Sequence, residues 1–258
     1  MPYTVKWECK TVVPVLNSKA GNQLARQAFE LLRAAILEGR LPPGTPLSRR
    51  RLAEEMGMSA VPVGDAIGRL ESEGLIESRP RAGTRVRIAT AEEIRGNYVL
   101  REALETHSAR LFAESASAAF RQRVSIAAGK LDEAYIALAG NLRHSQARRA
   151  RVERDHIAFH MLIAEATEVR KLIAEIERSR VLMFIWLFTV SSEFASFPPR
   201  WHRDLAEVLV HGSPAKAADA MRVHVRFRMA EVIAKFHDFE QALVDQPRMI
   251  RGPQRGKI

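Results

Sequence analysis

Apolar residues in the first quarter of the chain recur at helical spacing. Leu24, Ala28, Leu31, Leu32, Ala35 and Ile36 fall at i, i+4, i+7, i+8, i+11 and i+12, which predicts a helix with one apolar face. Gly39 and the run Leu41-Pro42-Pro43-Gly44 stop it. Ser48 is suited to cap a short helix running through Met56, and Gly57 then supplies the positive φ that helix ends favour. Ser59 is placed to cap a third helix, with Pro62 in the first turn, where a missing N–H costs little. Val63, Ala66, Ile67 and Leu70 form its buried face and Gly74 its end. The period then changes. Residues 75–78, a turn at 79–83 and residues 84–88 read as a two-stranded hairpin. Helix, helix, tight turn, helix and hairpin outline a winged helix-turn-helix.

Beyond Ala89 every strong segment is helical, with helices expected over 91–116, 119–139, 144–167, 168–191, 199–211 and 214–238. Phe197-Pro198-Pro199 and His211-Gly212-Ser213-Pro214 are the breaks. Residues 1–16 show no helical period and read as an arm, while 246–258 reads as a flexible basic end. No internal repeat is visible. The fold class expected is mainly α: a winged helix-turn-helix with a small two-stranded wing, followed by an all-α bundle. The expected boundaries are an arm at 1–16, the winged module at 17–89, the helical domain at 90–240 and a tail at 241–258.

Composition sharpens this picture in three ways. The 258 residues are 47% apolar, ample for packed cores and against wholesale disorder. Forty Lys plus Arg against thirty Asp plus Glu give a formal charge of +10, which favours polyanionic partners without naming one. Cys9 is the single cysteine, so no intrachain disulfide can form, as expected of a reducing compartment. The longest apolar run, 181–190, is half of what a bilayer requires, and the first residues lack a secretory pattern. A cytoplasmic protein without a membrane partner is expected.

The ordered phrases AILEGRLPPGTPLSRRRLAEEMGMS (35–59) and RLESEGLIESRPRAGTRV (69–86), with Pro62-Val63 between them, resemble the GntR family of bacterial regulators. The helical remainder resembles the effector domain of the FadR-type subgroup, called FCD, through REALE (101–105), AFH (158–160), His202 and AADAMRVH (217–224). The resemblance implies a DNA-binding transcription regulator, commonly a repressor, that reads an inverted-repeat operator as a homodimer and answers to a small carboxylate effector. It does not imply an enzyme.

In such a head the third helix meets base edges and the flanking elements meet phosphates. The candidates here are Arg49, Arg50 and Arg51 at the start of the second helix, Ser59 at the start of the third, and Arg79, Arg81, Gly83, Thr84 and Arg85 around the wing. Gly83 would let the wing tip approach the duplex closely. The family resemblance places arginines where this chain has Ala60 and Gly64, and Glu where it has Asp65, whereas Arg50 matches a retained arginine. Two readings stay open: a different operator read through the wing and residues 49–51, or weak sequence preference.

His156 and His160 lie four residues apart, so one helix face carries both imidazoles. The FCD resemblance implies a divalent-metal site of one Asp and three His. The histidines map to His160, His202 and His224, and His156 stands at the Asp position. Asp155 is adjacent but about 100° around the helix. Four imidazoles suit Zn²⁺ or Ni²⁺ better than Mn²⁺. Such an ion can accept an effector carboxylate, and Arg101 is the candidate effector contact, the alternative being a structural salt bridge. Arg178 and Arg180 are further candidates, and Met183, Phe184, Trp186 and Phe188 read as core or cavity wall. Val169 stands where the resemblance places Asn. The rival readings are a degenerate, ligand-independent regulator with core histidines and, more remotely, a metal-dependent enzyme, which would want an open coordination position and a general base.

Overall fold

The structure is a computed structural model and describes residues 18–37, 40–80, 83–139, 146–190, 197–227 and 229–245. The expected arm, most of the tail and Arg81 lie outside the described residues. So do the side chains of 181–190, including Met183, Phe184, Trp186 and Phe188. The chain divides into two compact units, one built mainly from residues up to Ile88 and the other from Ala89–Ala242.

The first unit contains α1 (Ser18–Leu37), β1 (Pro46–Leu47), α2 (Arg49–Met56), α3 (Ala60–Ser72), β2 (Ile76–Arg79) and β3 (Gly83–Val86). The buried face of α1 is Ala25, Ala28, Phe29, Leu32, Ala35 and Ile36, so Leu24 and Leu31 fall at its margin. It packs on α3 through Val63, Ala66, Ile67 and Leu70. Ser48 caps α2 by accepting from the backbone N–H of Arg51, and Gly57 closes it at φ 63°, with Met58 N–H bonded back to Ala53 O at 3.0 Å.

The expected hairpin is present but is part of a larger sheet. The strand order is β1-β3-β2, all antiparallel, with Pro46 opposite Arg85 and Ile76 opposite Val86. The third strand escapes a pattern-based reading because it is two residues long. Gly44, at φ 84°, turns the chain so that its N–H reaches Val86 O at 2.8 Å.

The second unit is helical throughout: α4 (Ala91–Ser115), α5 (Ala118–Ala139), α6 (Gln146–Glu165), α7 (Arg170–Val190), α8 (Trp201–His211), α9 (Pro214–Arg226) and most of α10 (Met229–Asp245). Thr90 and Glu93 form a reciprocal capping box at the start of α4. The helix expected over 214–238 is two helices, because Phe227 leaves helical geometry at ψ 126°. α4 packs against α6, α7, α8 and α9, and α5 against α6 and α8. Its inward face is unusual: between Ile94 and Phe112 it buries Asn97, Arg101, Glu105 and Ser108. Among the described residues no helix is long and apolar enough to cross a membrane.

Candidate functional sites in the reading head and the helical unit

In the head, Arg49, Arg50 and Arg51 open α2 and all three are exposed. Arg50 reaches Glu54 at 3.3 Å and Arg51 reaches Glu55 at 2.7 Å, each one turn along the same helix. Exposed pairs of this kind hold a side chain only loosely and can be exchanged for a phosphate at little cost. In the wing, Glu77, Arg79 and Arg85 share one sheet face, with Glu77 bonded to both arginines. Thr84 Oγ1 lies 3.1 Å from Ser78 Oγ, and Gly83 opens β3 at φ 83°. Ser59 sits at the N-cap position of α3 but makes no side-chain cap bond. Pro62 occupies the third helical position and so removes one of the two N–H groups that a capping hydroxyl can reach. The Ser59 side chain is thereby freed of its structural duty. Val61, the second residue of α3, is 71% exposed and carries no signal in the sequence pattern.

In the helical unit, His156 and His160 on α6, His202 on α8 and His224 on α9 come together. The donor atoms of His156, His202 and His224 lie within 4.8 Å of one another. The Nε2 of His160 is 3.1 Å from the Nε2 of His156 and 3.1 Å from that of His224. What surrounds the rings fixes their tautomers. His202 Nδ1 donates to Asp132 Oδ1 at 2.7 Å, and His202 Nε2 is buried without a hydrogen-bond partner among the described residues. His156 Nδ1 donates at 2.9 Å to Tyr135 Oη, whose own O–H goes to Glu153 at 3.0 Å. His160 Nδ1 is 2.7 Å from Glu105 Oε2, too bent for a good hydrogen bond yet close enough that a lone pair there would face a carboxylate. His202 and His156 therefore carry their proton on Nδ1 and leave their Nε2 lone pairs to the cluster. The carboxylate beside His160 Nδ1 favours the same tautomer there, and His224 Nδ1 is buried without a hydrogen-bond partner among the described residues.

The electrostatics keep these rings neutral. Burial pushes the imidazoles of His156 and His224 well below their ordinary 6.5, and Arg180 and the other rings add to it. Burial, then Arg180, brings His160 down to about 3 against the opposing pull of Glu105. Burial lowers His202 as well, although Asp132 opposes it. The carboxylates go the other way. Burial alone would raise Glu105, but the guanidiniums of Arg180 and Arg101 and the His160 ring hold it well below its ordinary value. Burial would likewise raise Asp132, but the ring and backbone N–H of His202 and the backbone N–H of Arg203 outweigh it. The arrangement is a set of neutral imidazoles with oriented lone pairs, which is what a divalent ion of borderline softness requires. Tetrahedral bonds of about 2.0–2.1 Å separate neighbouring nitrogens by roughly 3.3 Å, close to the 3.1 Å of the two pairs that His160 makes and within the 4.8 Å that bounds the other three rings.

These two constructions match known sequences. The family model of the bacterial regulatory proteins, gntR family, matches residues 24–86, and that of the FCD domain matches residues 97–227. The chain belongs to the GntR family. It is 27% identical over 210 residues to a protein of Paenarthrobacter nicotinovorans described as the probable D-xylose utilization operon transcriptional repressor, covering 78% of this chain and 85% of that one. It is 26% identical over 243 residues to a helix-turn-helix regulator from an unstable DNA locus of Streptomyces ambofaciens, covering 89% and 90%. A GntR regulator from Rhodococcus sp. RHA1 shares the fold with a TM-score of 0.67 at 20% identity, covering 82% of this chain and 98% of that one. McbR/YncC of E. coli does so at 0.60 and 21%, covering 84% and 98%. Family and relatives are regulators, so this GntR chain is a DNA-binding transcription regulator and not an enzyme.

The GntR head brings Arg49, Arg50, Arg51 and Ser59 to the start of α2 and α3, and Arg79, Gly83, Thr84 and Arg85 to the wing. Arg101 is not free. Its Nε donates to Glu105 at 2.8 Å on its own helix, and its guanidinium lies 5.5 Å over the Tyr98 ring. Arg180 binds the other oxygen of Glu105 through two nitrogens, at 2.6 and 3.1 Å. Glu105, Asp132 and Tyr135, which orient the histidines, were missed in the sequence. Only Glu105 left a faint signal, since Asn97, Arg101, Glu105 and Ser108 recur at helical spacing along one face of α4.

Proposed function

We propose that this protein is a metal-dependent sensor of a small organic acid that controls transcription, with repression the expected polarity. The single observation that carries the sensing half is the convergence of the imidazoles of His156, His202 and His224, two of which have their Nδ1 atoms committed to Tyr135 and Asp132. His156, His160, His202 and His224 would hold the ion, and an all-imidazole set favours Zn²⁺ or Ni²⁺. The ion would supply a positive focus for an effector carboxylate. Arg101 and Arg180 share one carboxylate, Glu105, so two buried guanidiniums face a single negative charge. That excess of positive charge supports an anionic effector, with Arg101 as its expected contact on the protein side.

In the head, α3 would enter the major groove, with Ser59 and the exposed Val61 meeting base edges. A branched apolar side chain suits a thymine methyl. Arg50, Arg51, Arg79, Arg81, Thr84 and Arg85 would hold phosphates, with Gly83 allowing close approach of the wing. A homodimer would pair two such heads on an inverted repeat, acting in the bacterial cytoplasm where the DNA lies. One relative is named a repressor of a D-xylose operon, which supports repression but not that sugar as effector. Effector binding biases the helical unit only by its differential affinity for two states, typically about 1–3 kcal/mol.

The test is the affinity of the full chain for a duplex selected from a random library, titrated with small mono-, di- and tricarboxylates. Zinc-loaded protein is expected to change its DNA affinity by roughly 5- to 150-fold with at least one acid, and metal-stripped protein to change little. Equal responses with and without metal would remove the ion from the mechanism.

A further inference from the structure

Helix α3 has little cationic chemistry of its own. Its first two turns carry Ala60, Val61, Pro62, Val63, Gly64, Asp65, Ala66 and Ile67, and its one base, Arg69, lies in the last turn. The Arg69 guanidinium sits 4.0 Å over the Phe29 ring of α1 and is committed to packing there. A reading helix without a cation over its first two turns would have no side chain able to take both acceptors of a guanine edge.

The missing group comes from α2. A Cβ at Gly64 would lie 3.2 Å from both Cζ and Nε of Arg49 and 3.4 Å from its Nη1. Near-equal distances to three guanidinium atoms mean that the plane lies face-on against the space that a side chain at position 64 would fill. Gly64 is the one helical glycine of the head that meets such a group, since Gly21 and Gly68 have nothing within 4 Å. The three arginines of α2 are also not equivalent. Arg50 and Arg51 turn back to Glu54 and Glu55, whereas Arg49 is paired with no acid among the described residues. A glycine inside a helix costs about 1 kcal/mol against alanine, so position 64 gives up stability to keep the seat open.

We infer that Arg49, seated on Gly64, is the side chain with which this head reads a guanine, and that Gly64 sets specificity by leaving room for it. The inference rests on the DNA reading proposed above for α3. Arginine's planar fork matches O6 and N7 of guanine, and a fork already laid against the reading helix loses less freedom on binding than a solvated one. A good contact of this kind discriminates against the wrong base by roughly 5- to 150-fold. A phosphate contact from the same residue would discriminate against nothing.

The test is selection from a random duplex library with the full chain, followed by titrations at several salt concentrations, for wild type, Arg49→Ala, Arg49→Lys and Gly64→Leu. Wild type is expected to prefer guanine at one position of each half-site. Arg49→Ala and Arg49→Lys should lose that preference by roughly 5- to 150-fold while the other positions keep theirs. Gly64→Leu, which keeps Arg49 but fills its seat, should lose the same preference while remaining folded by circular dichroism. The inference is overturned if Arg49→Ala weakens every sequence equally and lowers the salt slope by about one, the mark of a phosphate contact. It is overturned equally if Gly64→Leu keeps the guanine preference. Both outcomes leave the DNA reading standing. Wild type showing no salt-sensitive affinity for any duplex would instead remove that reading and the seat together.

Discussion

The reading head keeps its cations on the outside of an aliphatic core: Leu32, Val63, Leu70 and Val86 are buried while Arg50 and Arg51 of α2 and Arg79 of the wing rest on acids at the surface. The helical unit does the reverse. It buries Arg101, Arg180, Glu105, Asp132 and three of its four clustered histidines. A solvated cation contributes little to folding and is free to serve a polyanion. A buried ionic group must be compensated inside, and removing one partner strands the rest. In the head, function and stability are therefore separable, and a substitution can alter DNA affinity without touching the fold. In the helical unit they are joined, because Glu105, which neutralises Arg101 and Arg180, also faces the ring of His160.

Breaking the compensation should have the largest effect. Glu105→Gln leaves two buried guanidiniums without their carboxylate and is expected to lower unfolding free energy by about 3–5 kcal/mol in urea. A loss under 1 kcal/mol would mean that water or a second acid already compensates them.

Stripping the metal comes next. At an ion concentration one hundred times its dissociation constant, occupancy adds about 2.7 kcal/mol, so a chelator should lower the melting temperature reversibly. The stripped protein should also be acid-sensitive. The folded imidazoles titrate below 6.5, so between pH 6.5 and, for His160, about 3 the unfolded chain binds more protons. That contribution is full above pH 6.5 and declines as the pH falls, a slope that unfolding in urea at a series of pH values would show. The lowered Glu105 and Asp132 add a loss of the same sign at more acid pH.

A smaller effect is expected at Asp132. Asp132→Asn keeps the size of the group but weakens its hold on His202 Nδ1, and should weaken zinc binding by about 10–100-fold in calorimetry. The smallest effect on the fold should come from the head. Arg50→Ala is expected to stay within about 0.5 kcal/mol of wild type in stability, yet to lower the slope of log affinity against log salt by about one. A large loss of stability there would erase the contrast between the units.

The same contrast decides how far each unit could be read in the sequence. The head was legible almost residue by residue, because aliphatic periodicity and a glycine turn such as Gly57 each have one structural meaning. It escaped only where pattern is silent. A two-residue strand has no period, and the effect of Pro62 on the Ser59 cap depends on which N–H groups survive. The helices of the second unit were legible as helices, but the face of α4 was not, since its inward positions are polar and the apolar period fades there. The four histidines were found by spacing and by family resemblance. Asp132 and Tyr135 could not be, because they lie on α5, seventy and twenty-one residues from the histidines they orient. Arg101 could be named as a site residue, but that it shares Glu105 with Arg180 across seventy-five residues is a property of the packing.

The most direct measurement is the metal content and zinc affinity of the full chain purified without chelator, with His202→Ala beside it. The account predicts one tightly held divalent ion per chain in wild type, and zinc affinity at least about 100-fold weaker once His202 is removed, as loss of a whole ligand should exceed loss of its hydrogen-bonding partner. Wild type that binds no zinc, or His202→Ala that binds it as tightly, would contradict it.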